Sequence, residues 1–191
     1  MGLSLVGIDC DLGEASVQIA SDSYSIGELA TRRLIDDGCS RILCLRSNSR
    51  MRMPANKRTD AYLDVVEQAG LPALVREVEF VKPDDEKSAV VAKILDENPD
   101  IDGIFAGDDT MAAICLNIMK QRGLSAPDDI KVVGADGARR TMTFMPDLTT
   151  VRQDIDRIGE LAAQSIIALV NGDNPESNIK LPVELIEGKT A

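Results

Sequence analysis

The chain has 191 residues, 44% hydrophobic and 28% charged, a composition that buries a core and excludes disorder and fibrous repeats. Its 32 acidic against 21 basic side chains leave a formal net charge of −11, which argues against nucleic-acid binding by this chain alone, because a phosphate-binding face needs clustered Lys and Arg. It has four cysteines and no histidine. Cys10, Cys39, Cys44 and Cys115 form no C-x-x-C pair, so no zinc site and no metal are expected, and Ser-His-Asp or Cys-His catalysis lacks its base.

In chain order, Ser4 to Ile8 is a short apolar run that reads as a strand. A helix is expected over Ser25–Asp37, with Ser25 and Glu28 in capping-box spacing and Gly38 as its stop. Arg41 to Leu45 reads as a strand. The next helix shows Tyr62, Val65, Val66 and Ala69 on one face and ends at Gly70. Val75 to Val81 alternates like a strand, and Pro83 with the following acids opens a helix through Leu95. Gly103 to Ala106 is a buried strand, Thr110 to Arg122 a helix stopped by Gly123, and Lys131 to Gly134 another strand. Beyond an irregular stretch come a strand at Leu148–Arg152 and a long helix at Asp154–Val170. Ile179 to Ile186 is extended and interrupted by Pro182. This alternation predicts an α/β fold, doubly wound around a mostly parallel sheet.

Ligands of such sheets sit beyond the carboxyl ends of the strands. Asp9 and Asp11, Asp108 and Asp109, and Asp136 follow strands there. Arg46, Arg50, Arg52, Lys57 and Arg58 form a basic stretch after Leu45. Carboxylates that accept and guanidiniums that donate suit a polyol or sugar. The competing reading of each Asp is a helix N-cap. No G-x-G-x-x-G or G-x-x-x-x-G-K-[ST] loop is present, so no nucleotide cofactor is expected. The N-terminal MGLSLVGIDCD does not read as a secretory signal, and no apolar run spans a membrane. A cytoplasmic protein is the expectation.

Five stretches together resemble the LacI/GalR family of bacterial transcription regulators and, more broadly, the periplasmic-binding-protein-like fold. They are ASDSYSIGELATRRLIDDGCSRILCL, KRTDAY, DGIFAGDDTMAAICLNIMKQRGLSAPDDIKVVGADG, PDLTTVRQDIDRIGELAAQSIIALVNG and LPVELIEGKT. The resemblance implies a sugar-sensing effector domain, not an enzyme, with contacts from Asp22, Arg58, Phe80, Asp108, Asp136 and Gln153. It also implies operator DNA bound through an N-terminal helix-turn-helix absent from this chain, and a homodimer. Segments 1–39 and 153–175 are expected to form part of a first lobe, and 40–152 with 176–191 a second. The sequence departs from the family pattern at Asp108, where an Asn is usual, at Cys39 for a His, at Ala61 for a Gly, and at Gly188 near a usual Arg. An acceptor-only Asp108 favours a ligand rich in donors. Two alternatives stay open. One is a transport-type sugar-binding protein of the same fold. The other is a Mg²⁺-dependent phosphatase like the haloacid dehalogenases, suggested by GIDCDLG and GDDTMA.

Overall fold

The computed structural model describes residues 5–10, 12–13, 16–48, 56–79 and 81–191. The chain begins with β1 (Leu5–Ile8) and β2 (Ser16–Ser21), followed by α1 (Ser23–Asp36), β3 (Ile42–Asn48) and α2 (Asn56–Gln68). Next come β4 (Leu74–Glu79), α3 (Asp84–Glu97), β5 (Gly103–Ala106), α4 (Asp109–Gln121) and β6 (Lys131–Asp136). The short α5 (Arg139–Phe144), β7 (Thr149–Gln153), α6 (Ile155–Asn171), β8 (Asn178–Leu181) and β9 (Val183–Ile186) complete it.

Two sheets result. The larger has the order β4-β3-β5-β6-β7-β9, parallel except for the antiparallel β7–β9 pair. The smaller has the order β1-β2-β8 and is wholly parallel. Alternation along the strands divides the large core in two. Leu43, Leu45, Ile104 and Ala106 meet the apolar faces of α3 and α4. Ile42, Cys44, Phe105, Val133 and Val151 meet α1 and α2. Both faces are therefore covered, which is why these strands read as continuous apolar runs. In the smaller body Val17 and Ile19 pack with Ile158 of α6. The expected doubly wound, parallel-dominated α/β architecture is the one found.

Several elements differ from the sequence expectation. β2 is an additional strand, and α5 fills part of the stretch read as irregular. α1 starts two residues early, because Asp22 rather than Ser25 is its N-cap and accepts from the Ser25 N–H. α1 also lies on the larger sheet, not with the segment 1–39, because Ile26, Ala30 and Leu34 are fully buried in the core shared with α2. β8 falls within the segment 176–191 expected for the second lobe but joins the smaller sheet instead. Ile179 and Leu181 turn toward the small core and pair along β2. Pro182 separates two strands that belong to different sheets, where a missing N–H ends pairing.

The chain passes between the two bodies three times, at Asp22, Asp154 and Pro182. Asp22 and Asp154 each cap the helix that follows, the latter by accepting from the Arg157 N–H at 3.0 Å.

Two contacts hold α2 in place. Tyr62 is fully buried; its hydroxyl donates to the Ile42 carbonyl and accepts from the Leu74 N–H, both at 2.8 Å. Gly27 of α1 lies against the backbone of Arg58, so tightly that a Cβ there would collide with the Arg58 carbonyl. Glycine is thus a steric requirement of the α1–α2 crossing. Gly188 is another such position, since a Cβ would strike the backbone of Asp147 to Thr149. Gly27→Ala is expected to lower stability by roughly 1–3 kcal/mol through overpacking. Urea denaturation measures this, and an unchanged midpoint would show that the helices separate freely.

Candidate functional site

A cavity of about 220 Å³ opens at the carboxyl ends of β3, β5, β6 and β7, where the smaller body faces the larger. Each strand end contributes a side chain: Arg46 and Ser47 from β3, Asp108 after β5, Asp136 closing β6 and Gln153 closing β7. α2 adds Asn56, Arg58 and Thr59 from its first turn, and Asp9 enters from the smaller body.

Asp136 is the centre of the polar network. Its Oδ1 accepts from Arg58 Nη2 at 3.0 Å and from Gln153 Nε2 at 2.6 Å. Arg58 also donates from Nη1 to the Gly107 carbonyl at 2.5 Å. One guanidinium thereby ties α2 to the ends of β5 and β6. Asp136 has φ 108, a left-handed conformation uncommon for a side-chain-bearing residue. Gly137 follows with φ 58, and a Cβ on it would lie 2.8 Å from Arg152 Cα. The turn brings the carboxylate back over the strand ends. Burial, with the nearby Asp108 charge, pushes the Asp136 carboxyl above the ordinary range, against the lowering pull of Arg58. Three buried atoms of the lining side chains have no hydrogen-bond partner, Arg46 Nε, Arg58 Nε and Gln153 Oε1.

Asp108 serves two purposes at once. Its Oδ1 caps α4 by accepting from the Met111 N–H at 2.8 Å, while Oδ2 accepts from Ser47 Oγ at 3.1 Å and lines the cavity. The cap and ligand-contact readings of this residue are compatible, because one carboxylate has two oxygens.

Arg58, Asp108, Asp136 and Gln153 of the expected set come together at this cavity. Asp22 does not line it. Its carboxylate caps α1 and pairs with Lys180 at 3.0 Å. Partial burial works against that charge, but the bonds from Lys180 and Ser25 hold its carboxyl below the ordinary range. Phe80, Asp11, Arg50 and Arg52 lie outside the described residues. Ser23, Ser47, Asn56 and Thr59 line the cavity without having been singled out from the sequence. The strand-end rule was the signal for Ser47. Asn56 and Thr59 sit in a first helical turn that periodicity starting at Tyr62 does not reach.

Cys39, Cys44 and Cys115 are free and buried. Burial pushes the Cys44 thiol, on the cavity wall, up to about 12, so it is an unreactive neutral group at physiological pH.

Beneath the site Asp109 is 4% exposed. Its Oδ1 accepts from Thr150 Oγ1 at 2.6 Å and its Oδ2 from the Gly137 N–H at 2.8 Å. Burial raises its pKa to about 6, with the Asp136 and Asp108 charges adding to the rise and the two hydrogen bonds opposing it. The folded state thus holds this proton more tightly than the unfolded chain. The stabilisation is complete below the ordinary Asp value and disappears as pH rises through about 6. Asp109→Asn can donate to Thr150 and still accept from Gly137, and it removes this pH dependence. Between pH 4 and pH 7 the native protein is expected to lose roughly 3 kcal/mol relative to the variant. Parallel denaturation midpoints for the two proteins at both pH values would refute it.

The family model described as a periplasmic binding protein-like domain matches residues 31–191. The sucrose operon repressor of Lactococcus lactis subsp. lactis is 32% identical over 184 residues, covering 96% of this chain and 56% of the repressor. The chain therefore spans little more than half of that relative. Among solved structures, the transcriptional regulator CelR in complex with cellobiose is 25% identical with a TM-score of 0.84, covering 97% of this chain and 58% of that one. A LacI family regulator from Enterococcus faecium with bound ribose is 20% identical with a TM-score of 0.87, covering 98% of this chain and 70% of that one, a likeness of fold.

Proposed function

The chain belongs to the periplasmic binding protein-like domain family, and we propose that it is the effector-sensing part of a LacI-type transcription regulator, binding a sugar or similar small polar ligand. The observation that carries this reading is the cavity between the two bodies, with Arg58, Asp136 and Gln153 joined at its wall. Its similarity to a sucrose operon repressor and to a regulator bound to cellobiose supports it.

Ligand hydroxyls donate to Asp108, Asp136 and the unpartnered Gln153 Oε1, and accept from Arg58 Nε and Asn56. Asp9 comes from the smaller body and the remaining groups from the larger. A ligand touching both favours the arrangement that brings them together and so shifts a population. Operator DNA is contacted by a helix-turn-helix outside these 191 residues, and the ligand changes its affinity by a coupling of ~1–3 kcal/mol. The role is binding rather than catalysis, in the cytoplasm. Among the described residues no helix is long and apolar enough to cross a membrane. Phe80, which the family resemblance adds to the contacts, belongs to this proposal too.

Homodimerisation is part of the same reading. Ile155, Ile166, Ile167 and Val170 of α6 are exposed, Val170 by 75%, and β1 and β8 are both edge strands of the small sheet. An apolar helix face beside open edges favours self-association.

Calorimetric titration with sucrose, cellobiose and ribose is expected to show saturable binding of at least one. Asp136→Asn and Arg58→Ala should each weaken it about 10–100-fold, the size of a lost charge-assisted hydrogen bond. Circular dichroism melts separate this from unfolding, and native affinity in both folded variants would move the ligand elsewhere. Light scattering after size exclusion at micromolar concentration should give a dimer mass; a monomer would remove the dimer.

A further inference from the structure

We infer that the ligand of this cavity carries an amine among its hydroxyls, an amino sugar or related hydroxylated ammonium, and that Asp108 selects it. The inference rests on the effector-site reading above and adds the ligand's charge.

Three carboxylates line the cavity, those of Asp9, Asp108 and Asp136, against two guanidiniums. Both guanidiniums are already engaged. Arg58 is paired with Asp136 and bonded to the Gly107 carbonyl, and Arg46 is paired with Glu77. Asp9 and Asp108 have no cationic partner among the described residues. The Asp9 carboxylate accepts from the Ser21 N–H at 3.3 Å, and Asp108 accepts only from neutral donors. Among the described residues, charge compensation at the wall is therefore incomplete by two carboxylates.

The hydrogen-bond inventory points the same way. Gln153 is 8% exposed, one N–H of its amide is bonded to Asp136, and its Oε1 has no partner. Ser47 already donates its hydroxyl hydrogen to Asp108. Against the single N–H groups left on Arg46 Nε and Arg58 Nε, the wall sets the Gln153 carbonyl oxygen and three carboxylates. A buried acceptor left unmatched costs free energy, and a ligand phosphate or carboxylate would add negative charge to a site that has too much. An ammonium brings three donors and one positive charge. Asp108 is the discriminating group because an Asn in its place would keep the α4 cap and the cavity volume while removing the charge.

The test is titration of matched pairs into the protein at low ionic strength: glucosamine with glucose, galactosamine with galactose, mannosamine with mannose, and glucose 6-phosphate beside them. At least one amine should bind ten-fold or more tighter than its hydroxyl counterpart, about 1.4 kcal/mol. That preference, read as the ratio of amine to hydroxyl affinity within each protein, should vanish in Asp108→Asn and should shrink in Asp9→Asn. Equal or tighter binding of neutral sugars, or tighter binding of glucose 6-phosphate, overturns the amine inference and leaves the effector site standing. A preference that survives Asp108→Asn overturns the role given to that residue. Failure of every sugar to bind, with sucrose, cellobiose and ribose included, overturns the effector site and this inference together.

Discussion

The site depends on the buried guanidinium of Arg58. It bonds to the Gly107 carbonyl and to Asp136, so a helix and two strand ends are fixed relative to each other by one rigid planar group. Arg58 can stand there because α1 approaches α2 closely, and that approach exists because residue 27 has no side chain. Backbone sterics in one helix pair thereby determine where a charge sits at the edge of the sheet. Gln153 then joins β7 to the same carboxylate, and the positive φ of Asp136 supplies the angle. A partly buried charge pair is a costly way to stabilise a fold. Its use here is positional: it keeps acceptors and donors at set separations around the cavity.

Asp109 shows the same economy of groups in a second layer. Its carboxylate joins Thr150 on β7 to the backbone directly after Asp136, and Gly134 leaves room for it, since a Cβ there would lie 2.6 Å from Oδ1. The adjacent pair Asp108–Asp109 therefore divides its work. The first faces the cavity and caps a helix. The second is buried and braces the floor.

Much of the architecture was legible in the sequence because strands covered on both faces are uninterrupted apolar runs, as in GIFA and VVGA, and the intervening helices carry clear apolar faces. That Arg58, Asp108, Asp136 and Gln153 share one cavity was legible through strand ends together with family motifs. Three things were harder to read. β2, SVQIAS, mixes polar and apolar residues because only one of its faces meets α6. Extended structure around Pro182 looked like a single interrupted strand, since local pattern does not say which sheet a strand joins. Asp22 carries a family role in its motif, yet here its oxygens are occupied by α1 and Lys180, a tertiary pairing across 158 residues that no local spacing reveals.

The three passages between the bodies, at Asp22, Asp154 and Pro182, have a mechanical meaning. Two rigid bodies joined by one tether tumble independently; joined by three short tethers, they retain only a narrow family of relative rotations. Two of these tethers are helix caps and the third lacks an amide hydrogen, so bending there breaks few ladder bonds. Gln153 sits one residue before the second passage and holds Asp136 on the cavity wall. The polar network of the cavity wall thus adjoins one of the three crossings, so the geometry of the joint and that of the cavity are set by neighbouring residues.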